Sequence, residues 1–204
     1  MVKVGINGFG RIGRLILRAL LENYKGKIQV VGINDLGSIE ANAHLIKFDS
    51  THGTLTQEVK ISSEGFQIGD QNIKVFAEKD PAKLPWGKIG ADVVLECTGF
   101  FLDKASAGKH IEAGAKKVII SAPASDVDAT IVQGVNNHIL KNKHNIISNG
   151  SCTTNCLAPV AMVLDKGVGI ECGFMTTIHS YTGDQRTVDQ THSDLRRARG
   201  AAIS

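Results

Sequence analysis

The chain has 204 residues, of which 42% are hydrophobic and 21% are charged, as in a globular protein with one large or two small domains. Its formal net charge of +3, from 23 basic and 20 acidic residues, is too mild to predict nucleic-acid binding. The sequence has neither a signal-peptide core nor a run of eighteen apolar residues, so we expect a cytoplasmic protein that does not enter membranes.

Short apolar runs rich in Val and Ile alternate with amphipathic stretches. The runs are continuous rather than alternating, which is typical of strands covered on both faces. They lie at Val2–Ile6, Ile28–Ile33, Val93–Cys97, Val118–Ile120 and Asn145–Ile147. The predicted helices lie at Arg11–Tyr24, Ile39–Lys47, Lys104–Ala113 and about Val135–Lys141. Strands that alternate with helices predict an α/β fold with a doubly wound parallel sheet.

The segment Thr54–Phe76 has a different pattern. Three short apolar stretches, Glu58–Ile61, Gly65–Ile68 and Asn72–Phe76, are joined by turns rich in Ser, Gly, Asp and Asn. This pattern predicts an antiparallel excursion inside the α/β domain.

A glycine-rich turn separates the first predicted strand from the first predicted helix. The residues from Gly8 to Gly13 have the pattern G-x-G-x-x-G of Rossmann-type dinucleotide sites. In that pattern Gly8 permits a tight turn, Gly10 lets the backbone approach a pyrophosphate, and Gly13 lets the helix pack close to the strand. Glycine turns often bind no ligand, and the strand and helix on either side are what favour a nucleotide here.

An acidic residue, Asp35, follows the second predicted strand, about twenty residues after Gly13. A carboxylate there accepts hydrogen bonds from the ribose hydroxyls of an adenosine and repels a 2′-phosphate, so it favours NAD over NADP. Two other roles stay open for Asp35. The alternatives to ribose binding are a solvated loop carboxylate and a cap of the helix that begins after Ser38.

Four cysteines, at positions 97, 152, 156 and 172, are too few for a disulfide scaffold, so we expect core residues or reactive thiols. Cys152 is the candidate nucleophile, because it follows a strand and a glycine turn and begins a predicted helix that runs to about Lys166. The positive end of the helix dipole favours the thiolate. Cys156, one turn later, is interpreted as a small buried residue. Zinc is the alternative for this pair, but no second pair with zinc spacing accompanies it.

His179 stands at the end of another predicted strand, Phe174–Ile178, where a loop rich in hydroxyl groups begins. A histidine beside a thiolate can form an ion pair with it and can accept a proton from a reaction intermediate. Cys152 and His179 are therefore the candidate nucleophile and base, although the sequence does not show that they meet. The other six histidines are interpreted as surface or helix residues.

With these segments the chain closely resembles the phosphorylating glyceraldehyde-3-phosphate dehydrogenase family. The resemblance covers the whole chain and is most specific around Cys152. It is carried by Ile6–Arg14, Asp49–Gly53, Glu96–Gly99, Ile120–Pro123, Ser148–Pro159 and Met175–Gln185.

The resemblance implies a reaction. Cys152 attacks the aldehyde of glyceraldehyde 3-phosphate, and His179 accepts the proton as hydride passes to the nicotinamide of NAD. A thioester results, and inorganic phosphate converts it to the acyl phosphate 1,3-bisphosphoglycerate, a step of glycolysis and gluconeogenesis.

The resemblance also implies binding residues, and no metal. Arg11 and Ile12 would line the pyrophosphate, and Asp35 the adenosine ribose. The residues implied to contact the cofactor are Gly8, Gly10, Arg11, Ile12, Gly13, Asp35, Lys79, Thr98 and Ser121. Those implied to hold phosphate groups are Ser151, Thr153, Thr182 and Arg197. Alternatively, Ser151 and Thr153 are helix N-caps, and the arginine cluster at 196–199 is a solvated basic face.

The family pattern divides the chain into an NAD-binding domain at residues 1–150 and the beginning of an α+β catalytic domain at 151–204. Because the family's second domain is longer, we expect this chain to be a truncated part of a longer enzyme. We expect the 204-residue chain to aggregate or to show negligible turnover when it is made alone. The resemblance also implies a homotetramer, with the loop from about Ser180 to Ser204 against a neighbour's cofactor pocket.

Some alternatives stay open. Gln190 and Thr191 are polar where NAD-specific relatives carry an apolar residue and a proline, so we expect NAD preference with some use of NADP. The related erythrose-4-phosphate dehydrogenase shares the nucleophile segment, but Tyr181–Asp184 favours the triose enzyme. Two alternatives belong to other classes of function. They are an NAD-binding module without turnover and a redox-sensing thiol.

Overall fold

The computed structural model describes residues 1–203, which form two compact units, Met1–Val163 and the residues from Leu164 onward. The helices are α1 (Arg11–Asn23), α2 (Ile39–Lys47), α3 (Lys104–Glu112) and α4 (Cys152–Val168). The strands are β1 (Val2–Asn7), β2 (Ile28–Asn34), β3 (Phe48–Asp49), β4 (Gly53–Thr54), β5 (Val59–Ser62), β6 (Gly65–Ile68), β7 (Gln71–Phe76), β8 (Val93–Glu96), β9 (Lys117–Ile120), β10 (Ala129–Thr130) and β11 (Ile146–Ser148).

Nine of these strands form one sheet in the order β10-β11-β9-β8-β1-β2-β7-β6-β5. The strands from β10 to β7 are parallel, and β6 and β5 continue the sheet in antiparallel pairing. The chain builds the sheet outward from β1 in both directions. The predicted doubly wound parallel sheet and its antiparallel excursion are therefore confirmed. Each predicted strand of this sheet begins and ends within one residue of the observed strand.

Apolar clusters cover both faces of the sheet at its centre. On one face, Ile6 of β1 packs in a cluster with Leu17 of α1. Successive residues of a strand point to opposite faces, so Gly5 faces the other way. There it leaves room for the buried ring of Trp86, because a Cβ on Gly5 would lie 2.6 Å from that ring. The first strand is thus enclosed on both sides, as its unbroken apolar run predicts.

The predicted helix at Val135–Lys141 is wrong. The structure has only a short 3-10 turn there, Asn137–Ile139. The side-chain oxygens of Asn136 and Asn137 accept backbone N–H groups of preceding residues at 2.7 and 3.0 Å. Asparagines that bind local backbone groups in this way compete with helix formation.

The predicted strand at Phe174–Ile178 is also wrong. Residues 173–180 have no regular secondary structure, and the side chains of Phe174 and Ile178 are fully exposed. An extended segment needs another strand to receive its backbone hydrogen bonds, and within residues 1–203 none pairs with this segment. Its apolar pattern alone is therefore not sufficient to form a strand.

A short hairpin of β3 and β4 brings Asp49 to the first turn of α1. The Asp49 side chain is 3% exposed, and one oxygen accepts the N–H groups of Thr51 and His52 at 2.9 and 2.8 Å. The other oxygen pairs with the guanidinium of Arg11. The N–H group of His52 lowers the pKa of Asp49, burial opposes this shift, and Arg11 and Thr51 add to the lowering. The ion pair ties the hairpin to the helix that follows the glycine turn.

Removing the charge of Asp49 is expected to destabilise the protein in a pH-dependent manner. Because the pKa of Asp49 is lower in the folded than in the unfolded chain, its stabilising contribution is complete well above about pH 4 and is lost as the pH falls further. Asp49→Asn is therefore expected to have a lower free energy of unfolding than the wild type at neutral pH. This difference in free energy, the gap between the two proteins, is expected to narrow as the pH falls from about 5 to about 3. Urea unfolding at several pH values measures this gap. A gap that stays constant or widens on acidification contradicts the assignment.

Candidate functional site

A crevice of about 500 Å³ lies at the carboxyl ends of the central strands. The chain leaves β1 toward β2 and β7 on one side and returns to β8 on the other, so the strand order reverses between β1 and β8. Open α/β sheets bind ligands in the crevice at such a reversal. The lining residues are the last residues of β1 and β2 and residues of the segments after β1, β2, β7 and β8. They are Asn7, Gly8, Gly10, Asn34, Asp35, Leu36, Glu78, Lys79, Cys97, Thr98, Phe100 and Phe101.

Three glycines shape the turn after β1. Gly8 has a φ of +91°, and a Cβ there would lie 2.7 Å from the amide nitrogen of Thr98. A Cβ on Gly13 would lie 2.2 Å from the carbonyl oxygen of Gly8, so only glycine lets α1 approach the turn. A Cβ on Gly10 would have no atom of the described residues within 4 Å. Close contacts with other residues of the protein therefore require glycine at positions 8 and 13, whereas Gly10 adjoins open space in the crevice.

The N-terminus of α1 is suited to an anion. Gly10 is its N-cap residue, and no side chain of the described residues caps this end by a hydrogen bond. Unpaired N–H groups at a helix N-terminus bind phosphates. The side chain of Arg11 is turned to Asp49, and that of Ile12 is 47% exposed, so neither lines the crevice. We expect these two residues to meet a pyrophosphate through their backbone N–H groups.

Asp35 is held by two backbone donors. Its Oδ2 accepts the N–H group of Phe9 and its Oδ1 that of Gly37, both at 2.9 Å. Helix α2 is capped by Ser38, whose Oγ accepts the N–H group of Ala41 at 3.1 Å, so the alternative that Asp35 caps this helix is wrong. Each carboxylate oxygen keeps further acceptor capacity, which suits a ribose hydroxyl.

Two buried asparagines at the carboxyl ends of β1 and β2 are not predicted by the sequence motifs. Nδ2 of Asn34 donates to Oδ1 of Asn7 at 2.7 Å, and Asn34 exchanges two hydrogen bonds of 2.8 Å with the backbone of Glu78. These bonds join the segments after β1, β2 and β7. The available signal is a polar residue that ends an otherwise apolar strand, as in Ile6-Asn7 and Ile33-Asn34.

Cys97 and Cys152 have opposite environments. Burial raises the pKa of Cys97 to about 12, although a hydrogen bond with Ser121 opposes the shift, so the thiolate of this half-buried residue is disfavoured. Cys152 is exposed. Ser121, a predicted cofactor residue, also donates its backbone N–H to the carbonyl of Glu96 at 3.0 Å, which places it beside the turn that carries Thr98.

Hydrogen bonds fix the turn that leads into Cys152. Ser148 Oγ accepts the N–H group of Gly150 at 2.9 Å and donates to a carbonyl in the turn after β9 at 2.7 Å. Gly150 has a φ of +69°, which suits glycine. Ser151 Oγ accepts the N–H group of Thr154 at 3.0 Å, so the predicted N-cap role of Ser151 is present. The thiol therefore starts α4 from a defined turn.

Cys152 lies at the same edge of the sheet as the crevice. β11 is parallel to β9, β8 and β1, so the carboxyl ends of all four strands meet at this edge. From β2, which is followed by Asp35, to β11 there are four strand spacings, or about 19 Å. Cys152 does not line the crevice itself. It stands farther along the same edge of the sheet.

The prediction that Cys156 is buried is wrong, because its side chain is exposed. No described residue of α4 is buried, so nothing in residues 1–203 covers this position. Among the described residues, no group of three or more His, Cys, Asp and Glu side chains is arranged to hold a metal ion. None of the helices in this part of the chain is long and apolar enough to cross a membrane.

The residues from Leu164 onward contain three more predicted site residues. Nδ1 of His179 lies 2.6 Å from the carbonyl oxygen of Ser180. The N–H group and the hydroxyl of Thr182 both donate to the side-chain oxygen of Gln185, at 2.6 and 3.0 Å. The hydroxyl-rich loop thus has its own internal hydrogen bonds.

Arg197, the third of these residues, pairs with Asp184. The ion pair lowers the pKa of Asp184, and each of the two side chains is 53% exposed. An ion pair this exposed contributes little to stability. Arg196 in the same cluster is 91% exposed, as a solvated basic face would be.

The fold and the site define a class of protein. The reversal of strand order, the glycine turn, the helix N-terminus and the carboxylate after β2 form a dinucleotide-binding domain of the Rossmann type. An exposed thiol at the same edge adds a nucleophile. Together they define a protein with a dinucleotide-binding domain and an exposed thiol at the same edge of its sheet.

Comparison with known protein families identifies the family of this chain. Residues 2–104 match the sequence model described as "Glyceraldehyde 3-phosphate dehydrogenase, NAD binding domain", and residues 151–204 match the C-terminal domain of the same family. The chain belongs to the glyceraldehyde 3-phosphate dehydrogenase family. The match to its NAD-binding domain supports NAD as the cofactor. The domain boundary at residue 150 stays a prediction.

Relatives named glyceraldehyde-3-phosphate dehydrogenase match the whole chain. The protein of Xanthobacter flavus is 57% identical over 203 residues, that of Clostridium pasteurianum 56% over 206 residues, and that of Pseudomonas aeruginosa 53% over 204 residues. These matches cover 61% of each relative. The chain therefore spans about three fifths of the length of the curated relatives it matches.

Alanine at Gly10 and at Gly13 is expected to separate cofactor binding from stability. Gly13→Ala forces a Cβ against the carbonyl of Gly8 and is expected to lower the free energy of unfolding by about 2 kcal/mol or more. Gly10→Ala meets no protein atom and is expected to change it by less than about 0.5 kcal/mol, but to weaken NAD binding about tenfold or more. Urea unfolding and calorimetric titration with NAD measure the two effects. Wild-type NAD affinity in Gly10→Ala contradicts the placement of the pyrophosphate.

Proposed function

We propose that the protein that carries this chain oxidises glyceraldehyde 3-phosphate with NAD and inorganic phosphate and releases 1,3-bisphosphoglycerate. The observation that carries the proposal is the position of Cys152, an exposed thiol at the N-terminus of α4, on the sheet edge that holds the dinucleotide crevice. Relatives that share more than half of its residues and are named for this activity support the proposal. It includes a cytoplasmic homotetramer that acts in glycolysis and gluconeogenesis.

Cys152 is the nucleophile in the oxidation step. The partial positive charge at the N-terminus of α4 favours its thiolate, which attacks the aldehyde carbon and forms a C–S bond. The former carbonyl oxygen takes a proton from protonated His179 and becomes a hydroxyl, and His179 accepts this proton again as the C–H bond breaks. The bound nicotinamide supplies the hydride acceptor. The carbon is left as a thioester on Cys152.

Phosphate completes the cycle. An oxygen of inorganic phosphate attacks the thioester carbon, the C–S bond breaks, and the thiolate of Cys152 is restored. Ser151 and Thr153 flank the thiol at the first turn of α4, where backbone N–H groups suit an anion. Thr182 supplies a hydroxyl, and the guanidinium of Arg197 can bind a phosphate through two parallel hydrogen bonds.

The residues of the crevice fit a dinucleotide. The space above Gly10 is open to a pyrophosphate, and the two backbone donors hold the carboxylate of Asp35 in place for a ribose. The turn of β1 and the ends of β7, β8 and β9 supply the remaining contacts. The residues assigned to the cofactor are Gly8, Gly10, Arg11, Ile12, Gly13, Asp35, Lys79, Thr98 and Ser121.

Replacing Cys152 is expected to abolish acyl phosphate formation, whereas replacing Cys156 is not. Cys152→Ser removes the only thiol that the proposal uses, and a loss of about a thousandfold or more in kcat is expected. Cys156→Ser is the matched control, because its thiol is also exposed and lies one turn farther along α4. Steady-state formation of NADH with glyceraldehyde 3-phosphate and phosphate measures both variants. Retained acyl phosphate synthesis in Cys152→Ser rules out the proposed nucleophile.

Asp35 is expected to set the preference for NAD, with some use of NADP by the wild type. Asp35→Asn has nearly the same shape but removes the charge that repels a 2′-phosphate. The ratio of kcat/KM for NAD over NADP is expected to exceed one in the wild type and to fall about tenfold or more in Asp35→Asn. Steady-state rates with each cofactor test this. A wild-type preference for NADP, or an unchanged ratio in the variant, contradicts the assignment.

A further inference from the structure

A charged side chain that the proposed reaction does not use lies beneath the crevice. Glu96, the last residue of β8, is 1% exposed, and both His110 of α3 and Trp86 are completely buried. A buried carboxylate is costly unless its oxygens accept hydrogen bonds. The buried carboxylate of Glu96 therefore needs hydrogen-bond donors around it.

Four donors converge on the two oxygens of Glu96. Oε1 accepts the backbone N–H and the hydroxyl of Thr98, at 2.7 and 2.5 Å. Oε2 accepts Nδ2 of Asn7 at 2.6 Å and lies 3.0 Å from Nε2 of His110. An ionised carboxylate has about four acceptor positions and no hydrogen to donate, so this arrangement suits the ionised form of Glu96.

The partners of Glu96 have fixed orientations. Nε1 of Trp86 lies 3.0 Å from Nδ1 of His110, and an indole N–H can only donate. Nδ1 therefore accepts, and the imidazole carries its hydrogen on Nε2, which donates to Glu96. Asn7 cannot turn its amide over, because its Oδ1 accepts Nδ2 of Asn34 at 2.7 Å. Nδ2 of Asn7 and Nε2 of His110 thus both donate to Oε2 of Glu96.

The chain of hydrogen bonds ends in the wall of the crevice. The hydroxyl of Thr98 donates to Glu96 and accepts the N–H group of Phe100 at 3.1 Å. Thr98 and Phe100 line the crevice, and Gly8 packs against the backbone of Thr98. A shift of the carboxylate would therefore move the turn after β8 and the glycine turn that it contacts.

We propose that Glu96 is a positioning residue for the cofactor. Its carboxylate holds Asn7 and the turn Cys97–Phe101 in the arrangement that receives NAD, and His110, oriented by Trp86, holds the carboxylate. This inference rests on the proposed function, since it takes the crevice as the NAD site. It assigns an effect on NAD affinity to three buried side chains that do not line the crevice.

The first test is Glu96→Gln in the protein that carries this chain. Glutamine has nearly the same shape, but it places an NH₂ group opposite donors that cannot turn, so the turn is expected to loosen. The KM for NAD is expected to rise about tenfold or more, and kcat to change by less than about twofold. Hydrogen exchange measured by mass spectrometry is expected to accelerate in residues 97–102, while β5 and β6 keep wild-type rates.

Two matched variants at His110, one with leucine and one with glutamine, give a second test. This test can be carried out even if Glu96→Gln does not fold. Glutamine can point its oxygen toward Trp86 and its NH₂ group toward Glu96, as the imidazole does, whereas leucine can do neither. His110→Leu is expected to raise the KM for NAD as Glu96→Gln does. His110→Gln is expected to stay within about threefold of the wild type.

Three results would overturn the inference. They are an unchanged KM for NAD in Glu96→Gln, equal effects of leucine and glutamine at His110, and accelerated exchange spread over the whole sheet. The last two indicate a merely structural role. A wild-type protein that binds no NAD would instead refute the proposed function itself, whatever the variants show.

Discussion

The site depends on one constraint, the common direction of the parallel strands. β2, β1, β8, β9 and β11 are neighbours in that order, and each delivers its carboxyl end to the same edge of the sheet. Asp35, the glycine turn, Thr98, Ser121 and Cys152 follow these strands one after another. Residues far apart in the sequence therefore share one edge, and hydrogen bonds such as that from Phe9 to Asp35 join the turns that follow neighbouring strands. The same direction brings the crevice and the thiol of Cys152 to one edge of the sheet.

Hydrogen bonds to polar side chains hold the turns at this edge. Asp35 accepts two backbone N–H groups, Ser148 fixes the turn before the thiol, and Glu96 holds the turn after β8. Buried polar groups favour one arrangement when each donor has an acceptor, because an unpaired group is costly. The binding surface is thus shaped before a ligand arrives, which keeps the ordering cost of binding low.

Much of the fold can be predicted from local patterns in the sequence. Unbroken Val and Ile runs mark the strands of the parallel sheet, and the residues from Gly8 to Gly13 mark the nucleotide turn. The remainder depends on contacts that no local pattern contains. His110 meets Glu96 across 14 positions and Trp86 across 24 positions, so neither neighbour is visible in the sequence. Phe174–Ile178 has a strand-like pattern, but a strand also needs a partner, and that is not a local property.

The central claim is that the substrate is oxidised while it is bound to the sulfur of Cys152. It is tested most directly by mixing the protein that carries this chain with glyceraldehyde 3-phosphate and NAD in the absence of phosphate, quenching in acid, and analysing the cysteine peptides by mass spectrometry. We expect a 3-phosphoglyceroyl thioester on the Cys152 peptide, formed together with NADH and lost when phosphate is added. Acyl phosphate formation without an adduct on Cys152, or with the adduct on another cysteine, would contradict it.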